Sequence, residues 1–143
     1  MRPTKNRLAL VLWGVLLLGS TTVFSQGVNK KMTKMEEVMV AHDEVMDKMP
    51  KLSKLINQLQ TRANASYEKE KYEKAIADLK AANKSMMDWM HAFGKRFDAD
   101  EMMKGKELSE QKQKWLLEEE RNVELLREEI DSGIARAEKV LGL

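Results

Sequence analysis

The chain has 143 residues, with 25 Lys and Arg against 23 Asp and Glu, two His and no Cys, a length that fits a single domain. The lack of cysteine excludes disulfide staples, and two histidines leave little for an acid–base site at a conventional nucleophile. A formal charge of +2 excludes the strongly basic footprint of a nucleic-acid-binding protein.

Residues 1–25 are unlike the rest. Arg2, Lys5 and Arg7 precede an apolar run of 12 residues from Leu8 to Gly19, and Ser20 to Ser25 follow. A basic head, a short apolar stretch and a small residue at the end predict a secretory signal peptide cleaved after Ser25. The run is too short for a membrane span, which needs about 20 apolar residues. No cysteine follows it, so a lipid anchor on cysteine is excluded. Without the three cations of this segment the remainder carries 22 basic against 23 acidic residues, a formal charge of −1. The expected product is an exported protein of the Gram-negative periplasm, with residues 26–143 as one helical-bundle domain.

Three long helices are predicted, at about 29–62, 67–97 and 107–141, because apolar residues recur at alternating steps of 3 and 4. In the first the seam is Met32, Met35, Met39, His42, Met46 and Met49, widened by Val38, Val45 and Leu52. Pro50 lacks an amide donor and predicts a kink, Ile56 keeping register beyond it. Asn64 to Ser66 form the expected turn, with Ser66 as helix cap. The second seam is Tyr72, Ile76, Leu79, Asn83, Met86, Met90, Phe93 and Phe97. Asp98 to Gly105 connect, with Asp100 as a cap rather than part of a calcium loop, whose glycine and distal glutamate are missing. The third seam is Leu116, Val123, Leu126, Ile130, Ala137 and Val140, and Glu118, Glu119 and Glu120 read as a solvated face. Short connections make neighbours antiparallel, so the predicted fold is all-α, an up-down-up three-helix bundle of coiled-coil character.

Ten methionines follow Met1, all between residues 32 and 103. In antiparallel helices turning near residue 65, facing residues have numbers summing to about 130. Met39, His42 and Met46 therefore lie opposite Met86, Met87, Met90 and His91, with Met102 and Met103 capping the same end. Thioether and imidazole suit Cu(I) or Ag(I) far better than Mg or Ca, and side chains 3 or 4 apart on a helix are close enough to share an ion. Methionine also forms no disulfide in an oxidising compartment. These seven residues are the candidate metal ligands, with Cu(I) or Ag(I) as the ion. Trp89 is placed to cover the ion with its ring face. Two other readings fit the same residues. Methionine at helical spacing packs cores, and a methionine-rich end is a pliable docking surface for a partner helix. Neither a glycine-rich phosphate loop nor a His-Glu-x-x-His zinc motif occurs.

The stretches HDEVMDKM (His42 to Met49), MMDWMHAF (Met86 to Phe93) and EMMKGKELSEQKQKWLLEEE (Glu101 to Glu120) resemble small exported helical proteins of Bacteroidota labelled "viral A-type inclusion protein". The resemblance covers nearly all of residues 26–143. It implies a helical exported protein and carries over no catalytic residue. Many such proteins look like lipoproteins with a cysteine after the signal. This chain departs from that pattern, which favours a soluble periplasmic protein. The expectation is a non-enzymatic protein with a metal-exchange or protein partner, no nucleic acid, and no membrane span in the mature chain.

Overall fold

In a computed structural model, residues 31–143 are described; the expected signal peptide and the first residues of the first expected helix lie outside them. Every regular element among the described residues is a helix, so this part of the chain is all-α. Among the described residues no helix is long and apolar enough to cross a membrane.

The first expected helix is two helices, α1 (Lys34–Met46) and α2 (Met49–Asn64). α1 begins at Thr33, whose hydroxyl accepts from the Glu36 amide while the Glu36 carboxylate accepts from the Thr33 amide. This reciprocal cap satisfies two donors that a helix start otherwise leaves open. Pro50 sits in the first turn of α2, where its missing amide costs least. Asp47 and Lys48 stay in right-handed helical conformation, with Lys48 N–H donating to the Val45 carbonyl at 3.0 Å. Proline thus interrupts the helix over two residues and the chain continues onward, so the expected kinked single helix is corrected to a pair.

α3 (Lys69–Arg96) starts two residues later than expected. Ser66 does accept an amide, that of Glu68 at 3.0 Å, but Glu68 occupies the cap position, so Ser66 tightens the turn instead. The connector holds a short α4 (Ala99–Met103), capped by Asp98 rather than Asp100, with Glu101 closing a second reciprocal box. α5 (Glu110–Leu141) begins at Ser109 and ends at Gly142, whose φ of 77° is left-handed and suits glycine.

Polar pairs give the running directions. Lys34 meets Glu120 at 2.6 Å, Glu44 meets Arg127 at 2.9 Å, Lys48 meets Asp131 at 2.6 Å and Lys51 meets Glu138 at 2.7 Å. Both numbers rise together, so α1 and α2 run parallel to α5. Arg96 meets Glu118 at 2.9 Å, Ser85 meets Glu129 at 3.2 Å and Asp78 meets Arg136 at 3.6 Å. Here one number falls as the other rises, so α3 runs the opposite way and packs on α2 and α5.

The core runs along the whole unit: Val38, Val45, Leu52, Leu55 and Leu59 from α1 and α2, Ile76, Leu79, Met86 and Phe93 from α3, and Val123, Leu126, Ile130 and Ala137 from α5. Two seams differ from expectation by one residue. On α3, Ala82 and Trp89 are buried while Asn83 and Met90 are exposed, so Asn83 is not a core residue. On α1, Val38 and Val45 centre the buried face and Met46 is exposed.

Candidate functional site

Of the ten methionines after Met1, only Met35 and Met86 belong to the buried core. Met39, Met49 and Met102 pack, partly buried, against that core, and the other five are exposed. Met39, His42, Trp89, Met90, Phe93, Gly94 and Met102 line one cavity of about 200 Å³. α1 supplies Met39 and His42, spaced 3 apart so that they share a face. The end of α3 supplies Met90 and Gly94, spaced 4 apart, with Phe93 between them. α4 supplies Met102, placed there because the Asp98 and Glu101 box stops and restarts the chain at that point. Three methionines and one histidine from three elements thus line the same cavity.

His42 is held from two sides. Its ring stacks on Trp89 with centroids 5.7 Å apart and planes at 27°. Its Nδ1 lies 2.9 Å from Oδ1 of Asp43. An ionised carboxylate only accepts, so Nδ1 carries the proton and the lone pair of the neutral ring resides on Nε2. A carboxylate on the far nitrogen is how metal-binding imidazoles are commonly oriented.

Behind His42 is a chain of rings. Trp89 stacks on Phe93 at 4.9 Å, and Phe93 meets Phe97 at 4.7 Å. Trp89 Nε1–H donates to Glu119 at 2.9 Å. Glu119 is buried, not part of a solvated face, and it also accepts from Arg96 at 2.8 Å and from Asn122 at 3.2 Å. A buried carboxylate is tolerable only when its charge and lone pairs are met in this way. Trp89 therefore braces His42 from the core, with the Phe93 ring also stacked on it.

The seven expected ligands separate into groups. Met39, His42 and Met90 meet at the cavity. Met86 is 1% exposed in the core, one turn below. Met46, Met87 and His91 occupy exposed positions outside the cavity. Met102 completes the set; its position in a methionine-rich connector signalled the right end of the molecule but not the inward direction. Among the described residues no three His, Cys, Asp or Glu side chains gather as a cation site.

A larger cavity of about 430 Å³ lies between the start of α1 and the α4–α5 connection, lined by Lys34, Met35, Glu101, Lys106 and Leu116 among others. Of its four charged lining residues three are paired, Lys34 with Glu37 and Glu120, Lys106 with Asp98, and Glu101 with Lys112, while Glu107 has no ion pair among the described residues. Comparison of the chain with family models, curated proteins and solved structures gives no match.

Proposed function

We propose that this is a non-enzymatic, exported helical protein that binds Cu(I) or Ag(I) through Met39, His42, Met90 and Met102. The helices act as an up-down-up bundle in which α1 and α2 serve as one rod, and the site closes one end. The observation that carries the reading is that three methionines and a carboxylate-paired histidine, from three helices, line one cavity. Soft neutral donors suit a soft monovalent ion. They need no deprotonation. No bond is made or broken in a substrate, so the role is sequestration or exchange of the ion.

Anaerobic titration with Cu(I) against a chromophoric chelator tests this. The wild-type chain should take the ion from the competitor with one-to-one stoichiometry. A His42→Ala/Met90→Ala variant should lose at least tenfold in affinity, and equal binding by the two would falsify the site.

A second reading, a partner-docking surface, is favoured by the exposure of Met87 at 58% and Met103 at 84%. Methionine surfaces adapt to varied apolar partners. In that case the chain would retain a protein partner equally with and without Cu(I), and Met87→Glu/Met103→Glu would abolish the capture.

A further inference from the structure

Leu117 and Leu125 are the large apolar residues of α5 that stand exposed, at 57% and 56%. They lie on the side of the helix away from its buried row of Leu116, Val123, Leu126 and Ile130. The helical repeat puts Lys114, Arg121 and Glu128 on the same outward face. The row reads Lys114, Leu117, Arg121, Leu125, Glu128, at steps of 3, 4, 4 and 3. Its three charged side chains are exposed, and none has an ion pair among the described residues. Two surface hollows flank Arg121, one lined by Leu117, Glu120, Glu124 and Leu125, the other by Leu117, Glu118 and Asn122. Hollows between side chains of a helix are what the side chains of a facing helix enter.

The row is symmetric in spacing and in its leucines about Arg121, and opposite in charge at its two ends. A second copy laid antiparallel across Arg121 therefore sets Leu117 against Leu125 of that copy, and Lys114 against Glu128, each pairing occurring twice. Laid parallel, the same row would bring Lys114, Arg121 and Glu128 each against its own like charge, which disfavours that arrangement. In the antiparallel one only Arg121 faces its like, and its long side chain reaches the Glu118 and Glu124 carboxylates that border the hollows. A contact of this kind uses the same patch on both copies and closes at two.

We infer that the chain forms a homodimer through this outward row of α5, antiparallel, with the two-fold axis at Arg121. The occupant is a second copy because the row complements itself in spacing, apolar positions and charge. The contact is independent of the methionine cavity, whose lining comes from α1, α3 and α4. Residues 114–128 span about 21 Å of helix, and two leucines per copy form an apolar centre smaller than that of a standard interface. The dimer therefore dissociates on dilution.

Sedimentation equilibrium of the full chain from about 1 μM to about 1 mM tests this. The wild-type chain should pass from monomer to dimer within that range. Leu117→Lys/Leu125→Lys should be monomeric throughout with an unchanged circular dichroism spectrum, since both positions are on the surface. Lys114→Glu and Glu128→Lys each turn two attractive contacts into two repulsive ones, and each should weaken the dimer about fivefold or more. Lys114→Glu/Glu128→Lys in one chain recreates both attractions and should return to within about twofold of wild type. A wild-type chain that stays monomeric would overturn the dimer. So would a dimer that survives in Leu117→Lys/Leu125→Lys, by placing the contact elsewhere. Single charge variants that associate as tightly as wild type would overturn it as well, because a parallel pair exchanges one like-charge contact for another and does not respond.

Discussion

Single side chains in the methionine zone have sharply different environments, and their substitution should separate accordingly. Met86 is 1% exposed and Met87, its neighbour, is 58% exposed. Met86→Ala should cost about 2–5 kcal/mol through lost burial and the cavity left behind, whereas Met87→Ala should stay within about 0.5 kcal/mol. Urea denaturation of both variants checks the contrast. Glu119 offers a second test. Its charge is met by Arg96, Trp89 and Asn122 inside the molecule, so Arg96→Ala should destabilise by about 1–3 kcal/mol. Arg96→Lys should recover only part of that, because a single ammonium cannot bond Glu118 and Glu119 while also lying over the Trp115 ring, 5.4 Å from the guanidinium.

The helices are where local signals worked and where they failed, each for a physical reason. Caps at Thr33, Asp98 and Ser109 follow the preference for a side-chain oxygen that accepts an early amide, whereas the caps read from sequence, Ser66 and Asp100, each lie two residues away from the observed cap. The seams were legible to within one residue and no better. On α1 the rows through Met39 and Met46 and through Val38 and Val45 both step by 3 and 4 along one wide apolar face, and the partner helices decide which row is central. On α3 the decision for Trp89 over Met90 depends on Glu119, which arrives from α5 and is invisible in the local pattern. Met39, His42 and Met90 were readable as a cluster because the turn near residue 65 aligns them. Met102 was not, since its direction depends on where α4 begins.

The α4 cap carries a pH dependence of definite sign. Asp98 is held below the usual carboxylate range first by the Glu101 amide and then by Lys106, and Glu101 first by Lys112 and then by the Asp98 amide. A carboxyl whose folded pKa is depressed releases its proton more readily in the folded state. Its stabilisation is present above the unfolded values, near 3.8 and 4.5, and is lost as pH falls through the folded ones. Amide exchange in α4, corrected for the intrinsic rate, should accelerate below about pH 4. In Asp98→Asn/Glu101→Gln the acceleration should be largely absent.

At the scale of the molecule, the charged pairs between α1, α2 and α5 set alignment more than stability. Lys48 and Asp131 are both partly exposed, and such a pair contributes about 0.2–1 kcal/mol. Lys48→Asp should destabilise by about that amount and Asp131→Lys should restore it in the double variant, as a double-mutant cycle would measure. The fold class followed from the 3.6-residue repeat and the scarcity of glycine and proline. The division of the first rod did not, because Pro50 at the start of α2 and a proline within a kinked helix leave the same trace in sequence.

The donors at residues 39, 42, 90 and 102 come from three helices that are distant in the chain and adjacent only when folded. An unfolded chain cannot present them together, so any ion they hold stabilises the native state by mass action, about 2.7 kcal/mol at a free concentration one hundred times the dissociation constant. The thermal midpoint should therefore rise with Cu(I) and fall back when a stronger chelator is added. A chain without a single cysteine would in this way possess a cross-link that can be inserted and withdrawn.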